Sequence, residues 1–293
     1  MKKTALAGFL SLVLAAGSAF AADIPAQAYD EALAARVPAA IRDAGVLRNV
    51  VQGTFAPHTI QKEDKSLDGA TSDFAKAIGE ILGLRVDHYI VNGFSALLLG
   101  IRSNRYDISL SPSGDFPDRE KQNTFIDYVQ EYVVFAVKKG NPHKINDISD
   151  TCGLRVSVMA AGSAERTMKK QSEICVKEGK APVQVQSYEG QAAPLLAVKS
   201  GRADAFFSSQ APLSWFVRQD PNNLEMAAVG HNNGFGDLYQ GVIVPKDSPL
   251  APVILDAFKK LYANGTYDAI MKKWGLENNI LKAPGINLGT AGK

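Results

Sequence analysis

Residues 72–110 read SDFAKAIGEILGLRVDHYIVNGFSALLLGIRSNRYDISL, and the fold class is decided there. Over 72–82 the apolar residues fall at 74, 75, 77, 78, 81 and 82, one face of a 3.6-residue period, and Gly83 stops the run. The next eight residues, 84–91, alternate as a strand does. The helical period returns over 94–101, with Leu97, Leu98 and Ile101 facing inward, and 106–110 reads as a strand again. Upstream, Val46-Leu47-Arg48-Asn49-Val50-Val51 is a strand that ends by Gly53. The order is therefore β-α-β-α-β, which calls for an open sheet with crossover helices.

Working outward, the β-branched run 132–138 carries the chain away from this unit, and a second unit of the same order follows. Its strands are expected at 154–159, 183–188 and 203–207, and its helices at about 163–177 and 191–200. A late strand at 241–245 precedes helices at 249–264 and 267–274. The 279–293 tail shows Pro and Gly but no period and reads as irregular. At the other end, the alanine-rich 22–44 stretch reads as a peripheral leader helix. Two similar units, with helices returning after the second, predict an α/β protein of two lobes. Ligands of such sheets bind beyond the carboxyl ends of the strands, so the loops at 53–58, 111–119, 160–165 and 208–212 should face an interlobe cleft.

The chain has 293 residues, 46% hydrophobic and 21% charged, with a formal net charge of +2. That balance excludes a disordered chain and carries neither a nucleic-acid footprint nor a polybasic membrane surface. Lys2 and Lys3, the apolar run over 5–16 and Ala19-Phe20-Ala21 together read as a secretory signal peptide cut after Ala21. The apolar core is too short for a membrane span, and no Cys follows the cut to carry a lipid. Without Lys2 and Lys3 the chain has 30 basic and 30 acidic residues, so the exported protein is neutral. In an oxidising compartment the two cysteines, Cys152 and Cys175, are expected to form one disulfide, the alternative being two buried thiols. The four histidines are scattered, and none has ligand spacing for a metal.

Each cleft loop carries chemistry suited to a small charged solute. Phe55 offers an aromatic face at a strand end. Ser111, Ser113 and the backbone around Pro112 offer hydroxyls and N–H groups, with Arg119 close behind; a guanidinium fork is the natural bidentate partner of a carboxylate. Ala161-Gly162-Ser163 precedes a helix whose N-terminus can hold an anion, although Ser163 could equally serve only as an N-cap.

The sequence resembles the family 3 extracellular solute-binding proteins of polar amino-acid ABC transporters from about residue 45 to 276. The marks are Leu67-Asp68-Gly69 with Asp73-Phe74-Ala75-Lys76-Ala77-Ile78, Phe94-Ser95-Ala96-Leu97-Leu98, Arg105-Tyr106-Asp107-Ile108, and Pro117-Asp118-Arg119 with Phe125-Ile126-Asp127-Tyr128. Gly162-Ser163-Ala164-Glu165, Ser200-Gly201-Arg202-Ala203-Asp204-Ala205, Val242-Ile243-Val244-Pro245-Lys246 and Asn264-Gly265-Thr266-Tyr267-Asp268 complete them. The resemblance implies a periplasmic-binding-protein fold, with lobe 1 at 45–130 plus 241–293, lobe 2 at 135–235, and hinge strands at 130–134 and 236–240. It implies a monomeric periplasmic protein that captures a small carboxylate-bearing solute, an amino acid or derivative, and delivers it to an ABC permease without a cofactor. Phe55 and Phe94 would sandwich the ligand, Arg119 would pair with its α-carboxylate, Ser111 and the backbone near Pro112 would accept from its α-ammonium, and Ser163 would donate to the carboxylate from lobe 2.

Two departures bear on the ligand. Gly114 stands where the family commonly has Ser or Thr, and Ser209 stands where it commonly has the Asp that holds an α-ammonium. Either Asp115, Glu165 or Asp237 substitutes for that Asp, or the ligand lacks a standard α-ammonium. The fold also resembles exported cyclohexadienyl dehydratases, for which Asp115 and Glu165 are candidate acids by location only. No His-containing pair, nucleophile elbow or metal cluster supports catalysis.

Overall fold

The computed structural model describes residues 24–291; the expected signal peptide at 1–21 and its cut lie outside the described residues. Two short helices, α1 (Glu31–Ala34) and α2 (Ala39–Ala44), precede strand β1 (Val46–Val51). A small antiparallel sheet of β2 (Thr54–Phe55), β3 (Thr59–Gln61) and β4 (Leu67–Asp68) follows. Then come α3 (Ala70–Leu82), β5 (Arg85–Ile90), α4 (Phe94–Arg102), β6 (Ser109–Gly114), α5 (Pro117–Glu120) and β7 (Asn123–Glu131). The second lobe holds β8 (Val133–Lys138), β9 (Arg155–Met159), α6 (Ser163–Lys177), β10 (Gln184–Tyr188), α7 (Ala192–Lys199), β11 (Ala205–Ser209), α8 (Gln210–Gln219) and β12 (Leu224–Ala227). The chain closes with β13 (Leu238–Pro245), α9 (Leu250–Ala263), α10 (Thr266–Lys273) and β14 (Ile280–Ile286).

In the first lobe β1 and β5 pair in parallel, and a single bridge from Asn49 to Ile108 ties them to the segment entering β6. A four-stranded antiparallel sheet runs β14-β7-β13-β6. The second lobe is one five-stranded sheet, β10-β9-β11-β8-β12, parallel in its first three strands and antiparallel in the last two. The chain passes between lobes with Tyr132 alone separating β7 from β8. It returns as β13, whose first residue, Leu238, pairs with Glu131.

The helical period of α3 buries Phe74, Ile78, Ile81 and Leu82, and Gly83 ends the helix in the left-handed region at φ 65°. Phe74 meets Tyr128, Phe258 and Tyr267 at ring-centroid distances of 5.2, 5.5 and 5.9 Å, which locks α3, β7, α9 and α10 together. In the second lobe Phe135 of β8 stacks on Phe207 of β11 at 4.4 Å. Such pairs add about 0.5–1.5 kcal/mol beyond the area they bury.

The expected two-unit pattern is present, with four corrections. The leader is two helices rather than one, broken before Pro38, and it is docked: Leu33 and Val37 are buried in the first lobe's core. The third strand starts at Ser109, not Tyr106, and runs through Ser111–Gly114, because those residues pair with β13. The stretch at 208–212 is not a loop but the end of β11 and the start of α8. The tail is not irregular: 280–286 is an edge strand on β7, with its register broken between Ile280 and Gly285. Pro284 and that break hide it from periodicity, since Pro is tolerated in a sheet only at an edge or bulge.

Candidate functional site

A cavity between the lobes leaves about 60 Å³ of room for the centres of water-sized spheres. A single water needs about 10–15 Å³ on that measure, so the space suits a small solute. From the first lobe, Gln52 just after β1, Phe55 on β2, Phe94 and Leu97 on α4, and the Ser111–Gly114 part of β6 line it, with Arg119 of α5. From the second lobe come Val133, Met159, Gly162 to Ala164 at the start of α6, Gln191, Ser208 and Ser209. Gln240, on the returning strand β13, completes the wall.

All seven residues expected from the sequence, Phe55, Phe94, Ser111, Ser113, Arg119, Ser163 and Ser209, meet in this one lining. Strand geometry accounts for the first-lobe part: Ser111 and Ser113 lie two apart on β6 and share a face. Thr59 Oγ1 donates to Ser111 Oγ at 3.1 Å. Ser163 is not an N-cap; Gly162 holds that position, and Ser163 is the first residue of α6. Ser209 is the residue before α8, and its hydroxyl accepts from Gln240 Nε2 at 3.3 Å.

Arg119 is the charged group of the lining. Its guanidinium lies 4.6 Å from the ring centroid of Phe94 and 5.1 Å from that of Phe116. Nη1 donates to the Gly114 carbonyl at 2.8 Å, and Nη2 reaches across to the Ala161 carbonyl of the second lobe at 3.5 Å. Among the described residues it makes no ion pair. Burial, helped by the nearby Arg166, lowers its pKa to about 10, so it is still charged at neutral pH. Asp118 and Asp115 act on this cation only from a distance, so it has no carboxylate on its fork among the described residues, and a ligand carboxylate docked there would supply one.

Asp115, Glu165 and Asp237, the three carboxylates weighed as substitutes at the missing Asp position, are absent from the lining. Asp115 is turned away, its Oδ2 accepting from the Gly289 N–H at 2.9 Å. Glu165 accepts from the Ala161 N–H, Lys169 Nζ and Ser187 Oγ, each at 2.7 Å. Burial works against that charge, but these donors hold its carboxyl below the usual range. Asp237 lines a neighbouring depression with Phe116, Phe235 and Tyr239.

Sequence reading missed Gln52, Leu97 as a cavity wall, Val133, Met159, Gln191 and Gln240, whereas Ser208 belongs to the 208–212 segment expected at the cleft. For Gln52 a signal existed, since it directly follows β1 at the carboxyl end, where such sheets bind ligands. The other carboxamides have no local signature and arrive through topology.

Residues 47–277 match the pattern of the bacterial extracellular solute-binding proteins, family 3. The chain belongs to that family. The chain is similar to the arginine-binding protein ArgT of Corynebacterium glutamicum, 29% identical over 86% of this chain and 82% of that one. The L-cystine-binding protein TcyA of Bacillus subtilis is 27% identical over 94% of this chain and 97% of its own. Among solved structures, the amino acid ABC transporter substrate-binding protein AbpA of Streptococcus pneumoniae, bound to L-arginine, superposes with a TM-score of 0.72. It is 22% identical and covers 81% of this chain and 98% of its own. At that identity the likeness bears on fold, and the fold is the two-lobed one of family 3 solute-binding proteins.

Proposed function

We propose that this chain is the periplasmic receptor of an ABC importer, which captures a small carboxylate-bearing solute, an amino acid or derivative, and hands it to a permease. The observation that carries the reading is Arg119: a buried, charged guanidinium facing an interlobe cavity with no ion pair among the described residues. The family membership and the names of the relatives, arginine-binding and L-cystine-binding, agree with it. In this reading Arg119 takes the carboxylate, Phe55 and Phe94 flank the body of the ligand, and Ser111, Ser113, Ser163 and Ser209 supply hydroxyls. Lobe 1 comprises 45–130 plus 241–293 and lobe 2 comprises 135–235. They close about the strands at 130–134 and 236–240, a hinge of the kind that clamps a ligand between two rigid bodies. The protein is exported after cleavage near Ala21 and works as a monomer without a cofactor.

An exported cyclohexadienyl dehydratase is the competing reading. It needs a proton donor or acceptor on the substrate, and the two candidate acids, Asp115 and Glu165, are engaged away from the cavity. Binding is therefore favoured over catalysis. A thermal-shift panel of small carboxylates tests the proposal. A ligand at a hundred times its Kd stabilises the folded state by about 2.7 kcal/mol, and the shift should vanish in Arg119→Met. A panel without any shift, or a shift indifferent to Arg119, would overturn it.

A further inference from the structure

The cavity has one sign of charge. Among the described residues, Arg119 is its charged side chain and no Asp or Glu belongs to the lining. Three helices also begin on it: α4 at Phe94, α6 at Gly162 to Ala164, and α7 behind Gln191. None of the three has a side-chain cap. Each uncapped start presents unsatisfied N–H groups, while Glu165 in the first turn of α6 and Glu189 beside Gly93 of α4 offset the positive ends of those two helices.

The carboxylates around the cavity lie outside its lining, although Asp115 Oδ1 and Glu131 Oε2 have no hydrogen-bond partner among the described residues. Glu131 is buried where the chain passes between lobes, and its Oε1 accepts from the Tyr132 N–H at 2.8 Å and from Asn279 Nδ2 at 3.0 Å. Glu189 is exposed and touches the Gly93 end of α4 outside the lining. Asp118 pairs with Arg166. Asp115 and Glu165 are held as described above.

The remaining polar groups are neutral and incompletely paired. Gln52 and Gln240 are 8% and 5% exposed, and each keeps one unpartnered end, Nε2 of Gln52 and Oε1 of Gln240. A buried carboxamide end without a partner is costly, so these two point to a ligand bearing neutral hydrogen-bonding groups. A zwitterion would instead bring its ammonium beside Arg119, with no lining carboxylate among the described residues to receive it.

Resting on the carboxylate reading above, we propose that the ligand is a non-zwitterionic organic acid. It carries one carboxylate for Arg119 and neutral hydroxyl, carbonyl or amide groups for Gln52 and Gln240. An α-hydroxy acid or an N-acylated amino acid has this chemistry; a free α-amino acid does not.

Calorimetry on the full-length mature protein decides this, using matched triplets that differ only at the α-nitrogen. L-glutamine, L-leucine and L-arginine are each compared with their N-acetyl and α-hydroxy counterparts. In at least one triplet a neutral-nitrogen member should bind about thirtyfold or more tighter than the free amino acid, the least expected for a buried charge without its partner. Ser209→Asp should reverse that order by placing a carboxylate in the lining. Should the variant fail to fold, the wild-type comparison stands by itself. Free amino acids binding as tightly as their counterparts would overturn this inference and leave the carboxylate reading intact. No binding in any triplet would overturn both.

Discussion

The guanidinium of Arg119 lies 4.6 Å over the ring of Phe94, and its Nη2 reaches 3.5 Å to the carbonyl of Ala161 in the opposite lobe. One side chain thus walls the cavity, carries its charge and touches both halves of the cleft. The aromatic face eases the burial of the cation, and the carbonyls orient its fork without neutralising it.

Replacing Arg119 with Ala should abolish carboxylate binding, because removing one side of a buried charge pair costs about 3–5 kcal/mol. The fold should survive with a modest drop in stability, since the guanidinium supports it only by packing on Phe94 and Phe116 and by hydrogen bonds to the Gly114 and Ala161 carbonyls. Titration calorimetry measures the first effect and circular dichroism the second. Unchanged affinity would remove Arg119 from the site.

Cys152 and Cys175 are bridged, with their Cα atoms 5.6 Å apart and a sequence separation of 23. The bridge joins the approach to β9 to the last turns of α6. By chain entropy, closing a loop of this length is worth about 3.5 kcal/mol. Cys152→Ser with Cys175→Ser should lower the unfolding free energy from urea denaturation by that order and expose amides of the second lobe to hydrogen exchange first. Equal loss of protection in α3 and α9 would contradict a lobe-limited effect.

Glu131 sits where the chain passes between lobes, and its burial pushes its carboxyl up to about 7 despite hydrogen bonds from Tyr132 and Asn279. The folded state therefore holds this proton more tightly than the unfolded chain, whose value is near 4.5. The resulting stability is fully present below pH 4.5, is lost as pH rises from 4.5 to 7, and changes no further above that. The loss is on the order of 3 kcal/mol. Glu131→Gln should therefore gain on the wild type between pH 5 and pH 8. The Asp115–Asp127 pair, also raised by burial, slopes the same way in both proteins and cancels in the comparison. A stability difference that stays constant over that range would refute the assignment.

Gly241 lies where β13 shifts register against β7, and an added Cβ would approach the backbone of Ile126 and Asp127, at 2.6 Å from the Ile126 carbonyl carbon and 2.7 Å from the Asp127 nitrogen. Neither backbone atom can swing aside as a side chain would. Gly241→Ala should cost about 1–3 kcal/mol, the usual range for overpacking a filled interior. It should also weaken ligand binding, because Gln240 next to it belongs to the cavity wall. A chemical-denaturation midpoint equal to that of wild type would show that the strands absorb the methyl group.

Much of the fold was legible because one-sided burial leaves a period in the chain. The helix expected at 163–177 is α6 residue for residue, and the strand at 46–51 is β1. The failures have a common cause. Ser111–Gly114 looks like a loop by composition yet is a strand, because β13, more than a hundred residues later, supplies its hydrogen bonds. The edge strand β14 is set in the same way by β7. Pairing energy of that kind lies in a partner segment and leaves no local mark.

By itself, the sequence determined the two α/β units, the side chains at strand ends, and the chemistry available there: one guanidinium, two phenylalanines and a set of hydroxyls. It also showed that Ser209 carries no charge. Only the tertiary structure decided what surrounds these groups. It brought Gln52, Gln191 and Gln240 to the cavity from three separate segments, turned Asp115 toward Gly289, and tied Glu165 to Lys169 and Ser187. The physical reason is that charge complementarity depends on which groups share one enclosed volume, and residues far apart in sequence come to share it only when both lobes fold and meet.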